Sequence, residues 1–109
     1  MDLLFAALAS QPRRAILEAI RIAPGSNINA IAVHAPMSRI AVMKHLAVLE
    51  AAQLVVSKKA GRERLLWFNP VPLQYVHELW TDHYQRYFAS GLLDLKRRVE
   101  ARNAIEEET

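Results

Sequence analysis

Apolar residues recur along this chain with a helical period, in bursts separated by turn residues, before the period shortens to that of strands. Leu3, Leu4, Phe5 and Leu8 form the first burst, too apolar to face water alone, and Asp2 can cap a helix from Leu3 to Ala9. Gln11-Pro12-Arg13-Arg14 opens a second helix, with Pro12 in the first turn, where its missing N–H costs nothing. Ile16, Leu17 and Ile20 supply the inward stripe of that helix, and Pro24-Gly25 ends it. Asn27 caps a third helix through Val33, with Ile28 and Ile31 inward. Ala35-Pro36-Met37 then turns the chain, and Ser38 caps a fourth helix over 38–51.

Two short helices joined by a tight turn, the second capped by Ser, make a helix-turn-helix pattern. At about 100° per residue, Val42, Leu46 and Leu49 share one side of the fourth helix, with His45 flanking them. That side must pack on the second and third helices. The opposite side presents Ile40, Lys44, Ala47 and Ala51, with Ala41 and Met43 at its edges and Arg39 at the exposed first turn.

Residues 54–59 and 64–68 read as antiparallel strands around Ala60-Gly61-Arg62-Glu63, a hairpin over 54–69 that Asn69-Pro70-Val71-Pro72 closes. From Leu73 to about Ala104 the chain is helical, bent or broken near Ser90-Gly91. The expected fold is mainly α with a small two-stranded β wing: a winged helix-turn-helix of four helices, two strands and a last helix in one or two pieces.

Composition bounds the picture. An apolar content of 52% is too high for a disordered chain, yet no run approaches the roughly 18 apolar residues of a membrane span. The 109 residues are expected to form one DNA-binding and dimerisation domain over 1–104, followed by an acidic tail over 105–109. The first residues lack the pattern of a signal peptide, which implies a mature, non-secreted start. Cysteine is absent, which removes disulfides and thiolate chemistry and fits a cytoplasmic location.

Charge is unevenly placed. The net charge is +3, but the acidic tail holds Glu106, Glu107 and Glu108. Between Arg39 and Arg64 lie Arg39, Lys44, Lys58, Lys59, Arg62 and Arg64 against only Glu50 and Glu63. An excess of positive charge on a helix plus hairpin suggests a polyanionic partner. Such a helix can enter the major groove of double-stranded DNA while the hairpin tip rests on phosphates. The candidate DNA-binding residues are Ser38, Arg39, Ile40, Ala41, Met43, Lys44, Lys58, Lys59, Arg62 and Arg64. Arg39 and Lys44 are the long donors, and Ile40, Ala41 and Met43 could lie against thymine methyl groups, leaving part of the readout to DNA shape.

Other chemistry is poorly supported. Ser10, Ser26, Ser38, Ser57 and Ser90 have no accompanying catalytic order, paired carboxylates or phosphate-cradling glycine loop, so no enzyme is expected. His77 and His83 point about 120° apart on a helix and cannot chelate one ion within a chain. No metal or cofactor is expected, and a site built from His77, Asp82 or His83 would have to span two subunits.

These residues resemble the ArsR/SmtB family of winged-helix repressors over nearly the whole chain. Residues 5–17 are similar to the family's opening "ALADPTRRRIL", and Ser38 to Leu49 resembles its "S-x-x-T-V-S-x-H-L-x-x-L" helix. Gly61-Arg62-Glu63-Arg64 resembles its wing turn, and Asn69-Pro70 the "DP" that closes the wing. Ala41 and Met43 replace the family's Thr and Ser, and Gln53 replaces a common glycine, where a positive φ would cost about 1 kcal/mol.

The C-terminal segment, with Trp80, Tyr84, Tyr87 and Leu92, resembles the metal-independent SdpR-like branch. In this family the first and last helices pair across a two-fold axis. The resemblance thus implies a homodimer using Leu3, Leu4, Leu73, Val76, Trp80, Tyr87, Phe88, Leu92 and Leu95. The expected function is a homodimeric repressor on an inverted-repeat operator. The alternative is a winged-helix module that binds protein through Ile40, Ala41 and Met43.

Overall fold

The computed structural model describes residues 1–108, apart from the side chains of 82–88 and 106–108. In chain order the elements are α1 (Asp2–Leu8), α2 (Gln11–Ile22), β1 (Ser26–Asn27), α3 (Ile28–Val33), α4 (Arg39–Ala51), β2 (Val55–Ala60), β3 (Glu63–Phe68) and α5 (Val71–Glu108). They form two compact units, Met1–Pro72 and the residues from Leu73 onward.

The helix starts of the first unit follow from their caps. Asn27 Oδ1 accepts from the Ala30 N–H at 2.8 Å, and Ser38 Oγ accepts from the Ala41 N–H at 3.1 Å. Ser10 does the same for α2, with Pro12 in the first turn. Asp2 is not the cap expected for α1: the helix starts one residue earlier, Met1 holds the cap position, and Asp2 lies in the first turn. There its carboxylate still meets the positive end of the helix dipole.

The apolar stripes read from the sequence meet in one core. Ile20, Val42, Leu49, Leu54 and Leu66 are its largest fully buried side chains, drawn from α2, α4, the start of the wing and β3. Each such burial contributes about 1.5–3 kcal/mol before entropy is counted. Ile31 of α3 and Leu4 of α1 close the edges of this core.

The sheet has three strands rather than two, in the order β1-β3-β2, all antiparallel. Ser26 pairs with Leu66 and Asn27 with Leu65. Two residues give no alternation to detect, so periodicity could not have revealed β1. Gly25 makes its approach possible through its backbone: φ is +82°, which favours glycine, and its N–H donates to the Leu66 carbonyl at 2.8 Å.

The turn from α4 into β2 is a Schellman motif. The Gln53 N–H donates to the Glu50 carbonyl at 2.9 Å and the Leu54 N–H to the Leu49 carbonyl at 3.0 Å. Gln53 takes φ +61°, so the strained conformation expected where relatives carry glycine is present.

In the second unit α5 runs unbroken through Ser90 and Gly91, where a bend or break was expected, and continues past Ala104 to Glu108. One glycine costs a helix only about 1 kcal/mol relative to alanine, and the Leu92-Leu93-Asp94-Leu95-Lys96 stretch that follows is rich in good helix formers.

Candidate nucleic-acid interface

The helix-turn-helix presents the face of α4 that its period foretold. Val42, Leu46 and Leu49 are buried, whereas Arg39, Lys44 and Ala47 are exposed, with Ile40 at 68% and Met43 at 47% exposure. Ala41 is only half-buried at the edge, so its methyl group is partly covered by the protein itself. Ser38 uses one lone pair of its hydroxyl oxygen on the Ala41 N–H, which leaves its proton and a second lone pair to offer outward. The outward face is thus apolar between two cations.

The wing is tighter than the four-residue turn suggested. Ala60 pairs with Glu63, leaving Gly61 and Arg62 as a two-residue turn. Gly61 has φ +64°, as hairpin turns of this length require. Lys58, Lys59, Arg62 and Arg64 are all exposed. Arg64 also borders a hollow of about 200 Å³ shared with Met43, Ala47 and Glu50 of α4. The wing's own carboxylate, Glu63, accepts from Asn27 Nδ2 at 3.1 Å.

Two further cations were not recognised in the sequence as structural. Arg13 donates from Nε to the Ala7 carbonyl at 3.0 Å and from a terminal nitrogen to the Ala6 carbonyl at 2.9 Å. Arg14 reaches the Leu8 carbonyl at 2.7 Å. These carbonyls belong to the last turn of α1, where a helix has no partners of its own and its dipole is negative. The only signal available was their position, just after a short helix and at the start of the next.

The residues expected at a subunit interface divide. Leu4 is 5% exposed in the core of its own unit and is withdrawn from that set: the side of α1 carrying Leu4 and Ala7 packs inward. Leu3, at 63%, is exposed. On α5, Trp80 is 65% exposed and Leu92 and Leu95 are also exposed, whereas Leu73 and Val76 are half-buried. Tyr87 and Phe88 lie outside the described side chains, as do Tyr84, Asp82 and His83. His77 is exposed, with Nδ1 at 3.2 Å from Thr81 Oγ1. Among the described residues no three His, Asp or Glu side chains are placed to hold a metal ion, and no helix is long and apolar enough to cross a membrane.

A cationic hairpin beside an outward helix-turn-helix defines the class: a winged helix-turn-helix of the kind found in DNA-binding transcriptional regulators. Comparison with known proteins carries this to a family. The chain is 33% identical over 87 residues to the HTH-type transcriptional regulator YuzN of Bacillus subtilis (strain 168), covering 74% of this chain and 95% of the relative. It is 39% identical over 72 residues to the HTH-type transcriptional regulator Rv2034 of Mycobacterium tuberculosis, covering 66% of each chain. Among solved structures, an ArsR-like transcriptional regulator from Rhodococcus sp. RHA1 superposes with a TM-score of 0.67 at 33% identity, over 82% of this chain and 86% of the other. No family model matches the sequence. The chain belongs to the ArsR family of helix-turn-helix transcriptional regulators.

Proposed function

We propose that this regulator is a repressor that binds an inverted-repeat operator as a homodimer. The single observation behind this reading is the exposed side of α4 at Arg39, Ile40, Met43 and Lys44, lying in the same compact unit as the wing cations Lys58, Lys59, Arg62 and Arg64. Two such units related by a two-fold axis would set their α4 helices in successive major grooves, about 34–36 Å apart. Repression follows where the operator overlaps a promoter.

Base recognition in this reading is mixed. Arg39 and Lys44 supply hydrogen bonds to base edges or phosphates, while Ile40, Ala41 and Met43 press on thymine methyl groups. Ser38 contributes through its hydroxyl, which keeps a proton and a lone pair beyond the cap. The rest of the preference comes from DNA shape.

The dimer seam in this reading uses Leu3 and the apolar side of α5 at Leu73, Val76, Trp80, Leu92 and Leu95, with Tyr87 and Phe88 on the same stripe of the sequence. Exposed side chains of that size on one helix are what a subunit contact removes from water. In this reading the protein needs no resident metal or cofactor, in keeping with its resemblance to the metal-independent branch.

The test is a gel shift of the purified protein with DNA from upstream of its own gene, beside sedimentation to count subunits. Retardation as a dimer supports the reading. No fragment retarded at low salt overturns it and favours the second reading, a protein-binding module, for which the exposure of Ile40 and Met43 is the specific argument.

A further inference from the structure

The turn between α3 and α4 borders a cavity of about 150 Å³ in the first unit. Its floor is the buried pair Ile16 and Ile31, where α2 meets α3. Ala15 and Ala19, one turn apart on α2, form a wall and leave the space open, because a methyl group reaches no further into it. Ala35, Pro36 and Met37 complete the lining from the turn itself.

The chemistry of this lining narrows what it can hold. No Asp, Glu, Lys or Arg lines the cavity. The cations next to it in sequence, Arg13 and Arg14, are turned to the carbonyls of α1. A carboxylate or an ammonium placed here would lose water without gaining an opposite charge. An apolar ring enters at no such cost, and cavities of about this volume lined by aliphatic side chains take up benzene. Met37 adds a preference for an aromatic ring, since a thioether gains from contact with the ring edge. The two polar side chains of the lining, Gln11 and His34, are exposed and so stand at its mouth. Neither is hydrogen-bonded to another described residue. An amide and an imidazole can each donate to, or accept from, a hydroxyl group.

We propose that this cavity is a binding site for a small uncharged phenol, with the ring against Ile16, Ile31 and Met37 and the hydroxyl at the mouth between Gln11 and His34. The inference stands apart from the DNA-binding reading, because none of these residues belongs to α4 or to the wing. Met37 directly precedes Ser38, the cap of α4, so a bound ring touches the segment from which that helix starts.

Fluorine NMR titrations of the full chain test it, with 4-fluorophenol beside fluorobenzene, 4-fluorobenzoate and 4-fluorobenzylammonium. A probe of about eight heavy atoms that fills the cavity should saturate it with a Kd of about 0.1–1 mM. Fluorobenzene should bind about fivefold more weakly for want of the hydroxyl, and the two ions at least about a hundredfold more weakly. Ala15→Leu, at an exposed position where leucine suits a helix, should fill the space and abolish binding, and Ala19→Leu should do the same from the half-buried side. The Gln11→Ala/His34→Ala double should bring 4-fluorophenol down to the affinity of fluorobenzene. Circular dichroism shows which variants keep their helix content. Should neither leucine variant fold, the Gln11→Ala/His34→Ala double decides. No saturable binding of 4-fluorophenol would overturn the site, as would 4-fluorobenzoate bound as tightly, or a folded leucine variant or the double with unchanged affinity. Gel shifts on the same protein are read separately, so a failure to bind DNA leaves this result standing.

Discussion

The side-chain amide of Asn69 donates to the backbone carbonyl of Gln53 at 2.8 Å, across the open end of the wing. Its other side-chain atom, Oδ1, accepts from the Val71 N–H at 3.2 Å, and its own N–H donates to the Leu54 carbonyl at 2.8 Å. One residue therefore joins the turn that follows α4, the residue before β2 and the start of α5. The resemblance marked Asn69 only as the end of a strand.

Gln53 sits at the tightest point of that junction, and its left-handed backbone gives a direct test. Gln53→Gly should raise stability by about 0.5–1 kcal/mol, because glycine holds positive φ without a Cβ penalty. Asn69→Ala should lower it by about 1 kcal/mol through the lost hydrogen bonds. Urea midpoints of the two variants check both signs. A Gln53→Gly protein less stable than the parent would mean that the side chain of Gln53 contributes more than its backbone costs.

The clip between α2 and α1 predicts a stability phenotype without an electrostatic one. Arg13→Ala removes a two-pronged, charge-assisted contact with the Ala6 and Ala7 carbonyls and should cost about 1–3 kcal/mol. Thermal unfolding reads that loss. The salt slope of DNA binding, measured well below the melting point, should not move, because this guanidinium is engaged inside the protein.

For the α4 face, Arg39→Ala should change which duplexes are preferred rather than weaken all of them alike. Selection of bound sequences from a random pool, run beside the parent protein, supplies the measurement. A position of the recovered site that loses its guanine preference, at about 1–3 kcal/mol, assigns Arg39 to a base edge. A uniform loss assigns it to phosphate only.

Trp80→Glu probes the proposed subunit seam. At 65% exposure the indole can be exchanged without opening a core, so helix content should stay unchanged. Sedimentation should show subunits separating at concentrations where the parent remains paired, and operator affinity should fall with it. A pair as tight as the parent would move the seam away from this part of α5.

Much of this was legible in the chain because its signals are local. Ser38 and Asn27 read as caps since a short polar side chain before an apolar period has few other uses, and Val42, Leu46 and Leu49 named the buried side of α4 by spacing alone. What escaped was set by tertiary contacts. Ser26 and Asn27 become a strand only because Leu65 and Leu66 lie alongside. Arg13 and Arg14 acquire their role from carbonyls six or seven residues back. Leu4 looked like surface for a mate, and the fold turns it inward. Among the candidate contacts, the residue types were readable, but which face of the hairpin each cation occupies needed the pairing of Lys59 with Arg64.

The pair of guanidiniums closing α1 also warns against counting basic residues as a measure of affinity for DNA. Arg13 and Arg14 add to the formal charge, yet their N–H groups already point at carbonyl oxygens within the same chain. An alanine scan that watched only retarded bands would therefore assign them to the groove, when what had failed was the seating of the first helix.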